Sequence, residues 1–180
     1  RKGDDPQDCL PHGYPWLLDN GAFSDKWDER RWRGALDRLR PYRSACIGAV
    51  VPDVVADAGA TQARFEQYAP VVRGAGYPVA FVTQDGLALD AVPWAEIDVL
   101  FIGGSDEHKL TAMPFVLEGK RRGKWVHVGR VNSVKRMNLF WVADSCDGTD
   151  LAINPEARRQ RMYIHAMEAI RGKKLTCSLF

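Results

Sequence analysis

The sequence predicts an α/β fold of TIM type, a (β/α) barrel that is reduced or incomplete, on three observations. Six short apolar runs rich in Val, Ile and aromatic residues read as buried parallel strands, because a strand covered on both faces loses its polar alternation. Segments of helical character separate most of them, which is the pattern of right-handed βαβ units. Each run is followed by a short polar or glycine-rich signature, so six strand ends deliver polar groups to one face, the layout of a barrel active site. Periodicity alone does not choose between an open and a closed sheet. The placement of the signatures favours the barrel.

In order, the expected strands are 16–18, 46–51, 79–82, 99–102, 125–128 and 140–143, and the expected helices are 27–39, 58–73, 109–122 and 155–170, with a poorly defined stretch near 92–97. The second helix is the clearest. Ala60, Ala63, Arg64, Gln67 and Tyr68 offer a face with helical spacing, and Gly74 and Gly76 mark its stop. Residues 1–13 are polar and contain Pro, so they read as an arm or loop. No linker or repeat divides the rest, and residues 1–180 are expected to form one domain.

Lys and Arg number 25 against 23 Asp and Glu, a net charge of +2, which does not by itself announce a nucleic-acid binder of the histone type, so any basic surface must be local. The apolar runs are far shorter than the roughly 20 residues that cross a bilayer. Four scattered cysteines, Cys9, Cys46, Cys146 and Cys177, have no metal-ligand spacing, and reduced thiols fit a soluble, cytoplasmic protein.

The strand-end signatures carry the candidate chemistry. Asp19 leaves an apolar strand within Asp19-Asn20-Gly21-Ala22-Phe23, and Asp144 follows the expected strand 140–143. Two carboxylates at one barrel mouth suit attack at an anomeric carbon, one forming a glycosyl–enzyme bond and the other moving the leaving group's proton. Either alone reads equally well as a turn residue. Asp53 and Gln84 suit a guanine-like edge, whose two adjacent N–H donors fit a carboxylate and whose carbonyl fits an amide. Gly103 and Gly104 let a ring approach the backbone. Arg130, Asn132, Ser133, Lys135 and Arg136 combine guanidinium, ammonium and small polar groups suited to phosphate oxygens. The basic stretches 120–124 and 158–161 read as solvated helix ends, His108 and His127 as structural or surface residues, and Trp125 and Trp141 as core.

This ordered series resembles the tRNA-guanine transglycosylase superfamily, most closely the short, phage-type DNA-guanine transglycosylases that insert 7-deazaguanines into DNA. The likeness runs from Asp19 to about Thr149. The family's Asp-Ser-Gly-Gly-Phe matches the Asp19–Phe23 signature, and its aspartate acts in proton transfer. By the same resemblance Asp53 and Gln84 read the purine edge, Gly103, Gly104 and Ser105 face the base together with Phe23, and Asp144 in Asp144-Ser145-Cys146 is the nucleophile. Two departures stand out. The family's Gly-Gly-Leu-Ala-Val-Gly is Gly103-Gly104-Ser105-Asp106-Glu107-His108 here, and the zinc-binding Cys/His segment of the tRNA enzymes is missing. The resemblance implies exchange of guanine in DNA for a 7-deazaguanine base without cofactor or metal. It leaves three alternatives: a tRNA-directed enzyme, an N-glycosidic hydrolase and a non-catalytic nucleic-acid-binding barrel. Whether a homodimer completes the binding surface is open from sequence.

Overall fold

The computed structural model describes residues 13, 15–22 and 27–148. They form one sheet of six parallel strands in sequence order, curled into a half-barrel, with helices on its outer face. The strands are β1 (Trp16–Leu18), β2 (Cys46–Val50), β3 (Val79–Thr83), β4 (Val99–Ile102), β5 (Trp125–Val128) and β6 (Ser145–Cys146). Between them run α1 (Glu29–Arg38), α2 (Ala58–Gly74), α3 (Asp106–Thr111), α4 (Met113–Arg121) and α5 (Val134–Leu139). No described helix is long and apolar enough to cross a membrane. The expected arm at 1–13, except Gly13, and the expected helix at 155–170 lie outside the described residues.

Strand alternation builds two apolar layers. Phe81, Leu100, Ile102, Val126 and Val128 point outward onto α2 and α4. Val50, Ala80, Val82 and Val99 point inward, with Phe101 and Trp125 packed beside them. The inner layer is the wall of the half-barrel, beneath the carboxyl ends of its strands.

Side-chain caps start most of the helices. Asp28, Asp57, Ser105 and Ser133 each accept a backbone N–H three residues on, at the heads of α1, α2, α3 and α5. The buried stripe of α2 is Thr61, Phe65, Tyr68, Ala69 and Val72, rotated from the face that Ala60 and Ala63 mark. Area burial by Phe65 and Tyr68 outweighs that by the two small alanines. The expected helix 109–122 is two helices, with Pro114 in the first turn of the second. Near 92–97 a 3-10 turn (Leu89–Ala91) leads into a loop that buries Val92, Trp94 and Ile97.

The largest correction concerns 140–143. Ser133 caps α5, Phe140 is buried in the outer core beside Met137 and Leu139, and Trp141 is 51% exposed rather than core. The apolar run is the end of a helix and a turn. The sixth strand begins only at Ser145, so Asp144 precedes it and Asp147 follows it.

Candidate active site

A pocket of about 150 Å³ opens where the inner wall meets the carboxyl ends of the strands, floored by Val50, Val82 and Phe101. Asp19, Asp53, Gln84, Gly103, Gly104 and Arg130 reach it as expected.

The pair expected to read a purine edge is tightly built. Asp53 is 8% exposed and accepts Asn20 Nδ2 on Oδ1 at 2.7 Å and Gln84 Nε2 on Oδ2 at 2.5 Å. Gln84 Oε1 is held by the amide of Ala56 at 2.9 Å, and Asn20 also donates to Val51 O at 2.9 Å. Each Asp53 oxygen keeps a further lone pair for a ligand N–H. Burial pushes the Asp53 carboxyl above its ordinary value, and the nearby charge of Asp19 adds to that, although the Asn20 and Gln84 amides oppose it. Asp19 itself is exposed at the rim and accepts the amide of Asn20 at 2.8 Å.

Gly103 and Gly104 are required by space as well as by approach. A Cβ on Gly103 would lie 2.5 Å from Val82 Cγ1. Gly104 has φ +72°, and a Cβ there would lie 2.8 Å from both the Asp85 carboxylate and the His108 ring. Ser105 turns away from the base role. It caps α3 through His108 N, donates its hydroxyl to Asp85, and has its own amide 2.8 Å from Asp85 Oδ2.

Asp144 lies outside the pocket, contrary to expectation. Its Oδ2 accepts Val126 N at 2.8 Å and its Oδ1 pairs with Lys120 of α4, on the helix-covered side of the sheet. The carboxylate that does line the pocket beside Asp19 and Asp53 is Asp147, just past β6. Burial alone would raise the Asp147 carboxyl. The His127 ring and the Arg130 amide outweigh it and hold the group below the ordinary carboxylate range.

His127 is therefore part of the site, not a bystander. Its Nε2 is 3.0 Å from Asp147 Oδ2, and its Nδ1 is 2.8 Å from Ser145 Oγ, which also takes the Trp125 Nε1–H at 2.9 Å. An indole N–H only donates, so the Ser145 hydroxyl accepts from Trp125 and turns its own proton to Nδ1. That leaves the ring proton on Nε2, aimed at the carboxylate. Arg130 N fixes the other oxygen, Oδ1, at 2.7 Å. Nitrogen NMR of the wild-type protein should show neutral His127 as the Nε2–H tautomer, and Ser145→Ala should yield mixed tautomers; an Nδ1–H ring in the wild type would contradict the assignment.

Lys109 also belongs to the site, although nothing in the sequence singles it out. It is 1% exposed, lines the pocket and donates to Gly129 O at 2.7 Å. Burial, helped by repulsion from Arg130 and Arg136, lowers its ammonium to about 8.

The expected phosphate set divides. Arg130 reaches the pocket and its Nη2 binds Gly104 O at 2.6 Å. Arg136 is occupied by Asp106 at 2.6 Å, Ser133 is a helix cap, Asn132 is half-buried beside Gly148, and Lys135 is exposed. Phe23 lies outside the described residues. No protein-family model and no curated protein matches the chain.

Proposed function

We propose that this chain is a base-exchange transglycosylase that replaces guanine in DNA with a 7-deazaguanine derivative, and that Asp147 is its nucleophile. The observation that carries this reading is the gathering, in one pocket at the carboxyl ends of parallel strands, of Asp147, Asp19 and the Asn20–Asp53–Gln84 cluster.

The Asp147 carboxylate attacks C1′ of the target nucleotide as the N-glycosidic bond breaks, and guanine leaves with the bonding electrons. Asp19, at the exposed pocket rim, relays a proton from solvent to the leaving base. The covalent glycosyl ester is then attacked by the incoming 7-deazaguanine, which passes its ring proton to Asp19 and releases Asp147. One N-glycosidic bond replaces another, so the exchange needs no external energy source. Asp53 accepts the N1–H and exocyclic N–H of either base on its remaining lone pairs. The Trp125–Ser145–His127 chain and the Arg130 amide keep the nucleophile ionised and oriented.

The test is exchange of isotope-labelled guanine into guanine-containing DNA, followed by nucleoside mass spectrometry with 7-deazaguanines as competitors. Label in the DNA supports the reading. Release of base with an abasic product, or label in tRNA alone, contradicts it.

The pH profile should separate the buried Asp53 carboxyl from the exposed Asp147 carboxyl. Asp147 stays ionised below the ordinary carboxylate range, whereas Asp53 takes up its proton above its ordinary value. Base recognition needs Asp53 ionised, so kcat/KM is expected to fall on acidification through the raised Asp53 value, before Asp147 protonates. An acid limb that Asp53 substitution leaves in place would contradict this.

A further inference from the structure

Beside the pocket lies a second, larger groove of about 660 Å³, and Asp19 and Asn20 line both. Its far wall is one face of α1, where Arg30, Arg31, Gly34, Ala35 and Arg38 fall within an arc of about 140° at roughly 100° per residue. Gly34 and Ala35 keep the middle of that face low, with arginines at both ends.

These arginines differ from their neighbours. Arg33, Arg73, Arg121 and Arg122 each face a carboxylate, from Glu29, Glu96 and Glu118. Arg30, Arg31 and Arg38 have no ion pair among the described residues. Asp28, at the groove's edge, spends Oδ1 on capping Arg31 N at 2.8 Å. The helix from Arg30 to Arg38 spans about 12 Å. Along that length one DNA strand carries about three phosphates.

We infer that the arginine face of α1 is the track for the DNA strand that delivers its base to the pocket, with Arg30, Arg31 and Arg38 neutralising successive phosphates past Asp19. This rests on the reading that a DNA base enters the pocket, and it supplies the local basic surface that the near-neutral chain requires. Arg136, which its sequence position offers for that task, is bound to Asp106.

The test compares the full chain with the Arg30→Gln, Arg31→Gln, Arg38→Gln triple variant in binding a guanine-containing duplex oligodeoxynucleotide over a range of salt. A charge-matched control carries Arg73→Gln, Arg121→Gln and Arg122→Gln, which lie at the helix ends facing the opposite rim of the sheet. The groove variant should bind at least about tenfold more weakly near physiological salt, with the slope of log K against log salt shallower by about 2 to 3. The control should keep the wild-type slope, and free guanine should bind both variants as it binds the wild type. Unchanged DNA binding by the groove variant, or an equal loss in the control, would overturn the inference while leaving base exchange standing. A wild-type chain that binds no DNA would overturn both.

Discussion

Asp147→Asn is expected to cost the exchange reaction at least about a thousandfold in kcat, while Asp144→Asn leaves kcat within a few-fold of wild type. The contrast follows from three residues of chain. Asp147 lies beyond β6, in the pocket with Asp19, with one oxygen on the Arg130 amide and the other on His127. An amide there has no carboxylate to attack C1′, and its NH2 group opposes either the Arg130 N–H or the His127 Nε2–H. Asp144 precedes β6 and serves Val126 N and Lys120. An asparagine carbonyl still accepts the Val126 amide, and loss of the partly exposed Lys120 pair costs at most about 1 kcal/mol. Single-turnover kinetics and urea unfolding of both variants check the pair of outcomes.

Asp53→Asn should bring the second large loss, at least about a hundredfold in kcat/KM with the effect carried mainly by KM. The buried Asp53 carboxylate accepts from Asn20 Nδ2 and Gln84 Nε2 at once. An asparagine in its place sets its own NH2 against one of those donors, leaving a buried N–H unsatisfied at a cost of about 1 to 3 kcal/mol. It also loses the second acceptor that a guanine edge requires. Titration with free guanine, set beside urea unfolding, separates the recognition loss from the stability loss. Wild-type affinity for guanine in the variant would contradict the role given to Asp53.

Five of the six strands are legible in the sequence: four because both faces are covered, which leaves the runs at 46–51, 79–82, 99–102 and 125–128 almost wholly apolar, and the half-buried first because Trp16-Leu17-Leu18 is apolar throughout. The sixth is hidden for a physical reason. Ser145–Cys146 is too short to carry a pattern, while Phe140, Val142 and Ala143 form an apolar run from a helix end and a turn that pack on the outer core. Taking that run for a strand places Asp144, rather than Asp147, at the expected strand end. Asp53 and Gln84 are visible because each sits at a strand end, whereas Asn20, which donates to Asp53, carries no role that the sequence assigns.

Lys109 and His127 are hidden differently. A lysine in a helix of mixed charge reads as surface, and only the fold brings it under the pocket at Gly129. His127 does leave a signal. In Trp125-Val126-His127-Val128 strand alternation puts Trp125 and His127 on one face and both valines on the other, so the inward face carries the polar groups. Spacing does mark Arg33, which has Glu29 one turn before it, whereas Arg30, Arg31 and Arg38 have no ion pair among the described residues.

The most direct test is to incubate the chain with guanine-containing DNA without added base, quench it, and look for a covalent sugar adduct by fragmenting the peptide that spans 140–148. The adduct is expected on Asp147. Modification of Asp144 or Asp19, or release of guanine with no protein-bound sugar at any time point, would contradict the account.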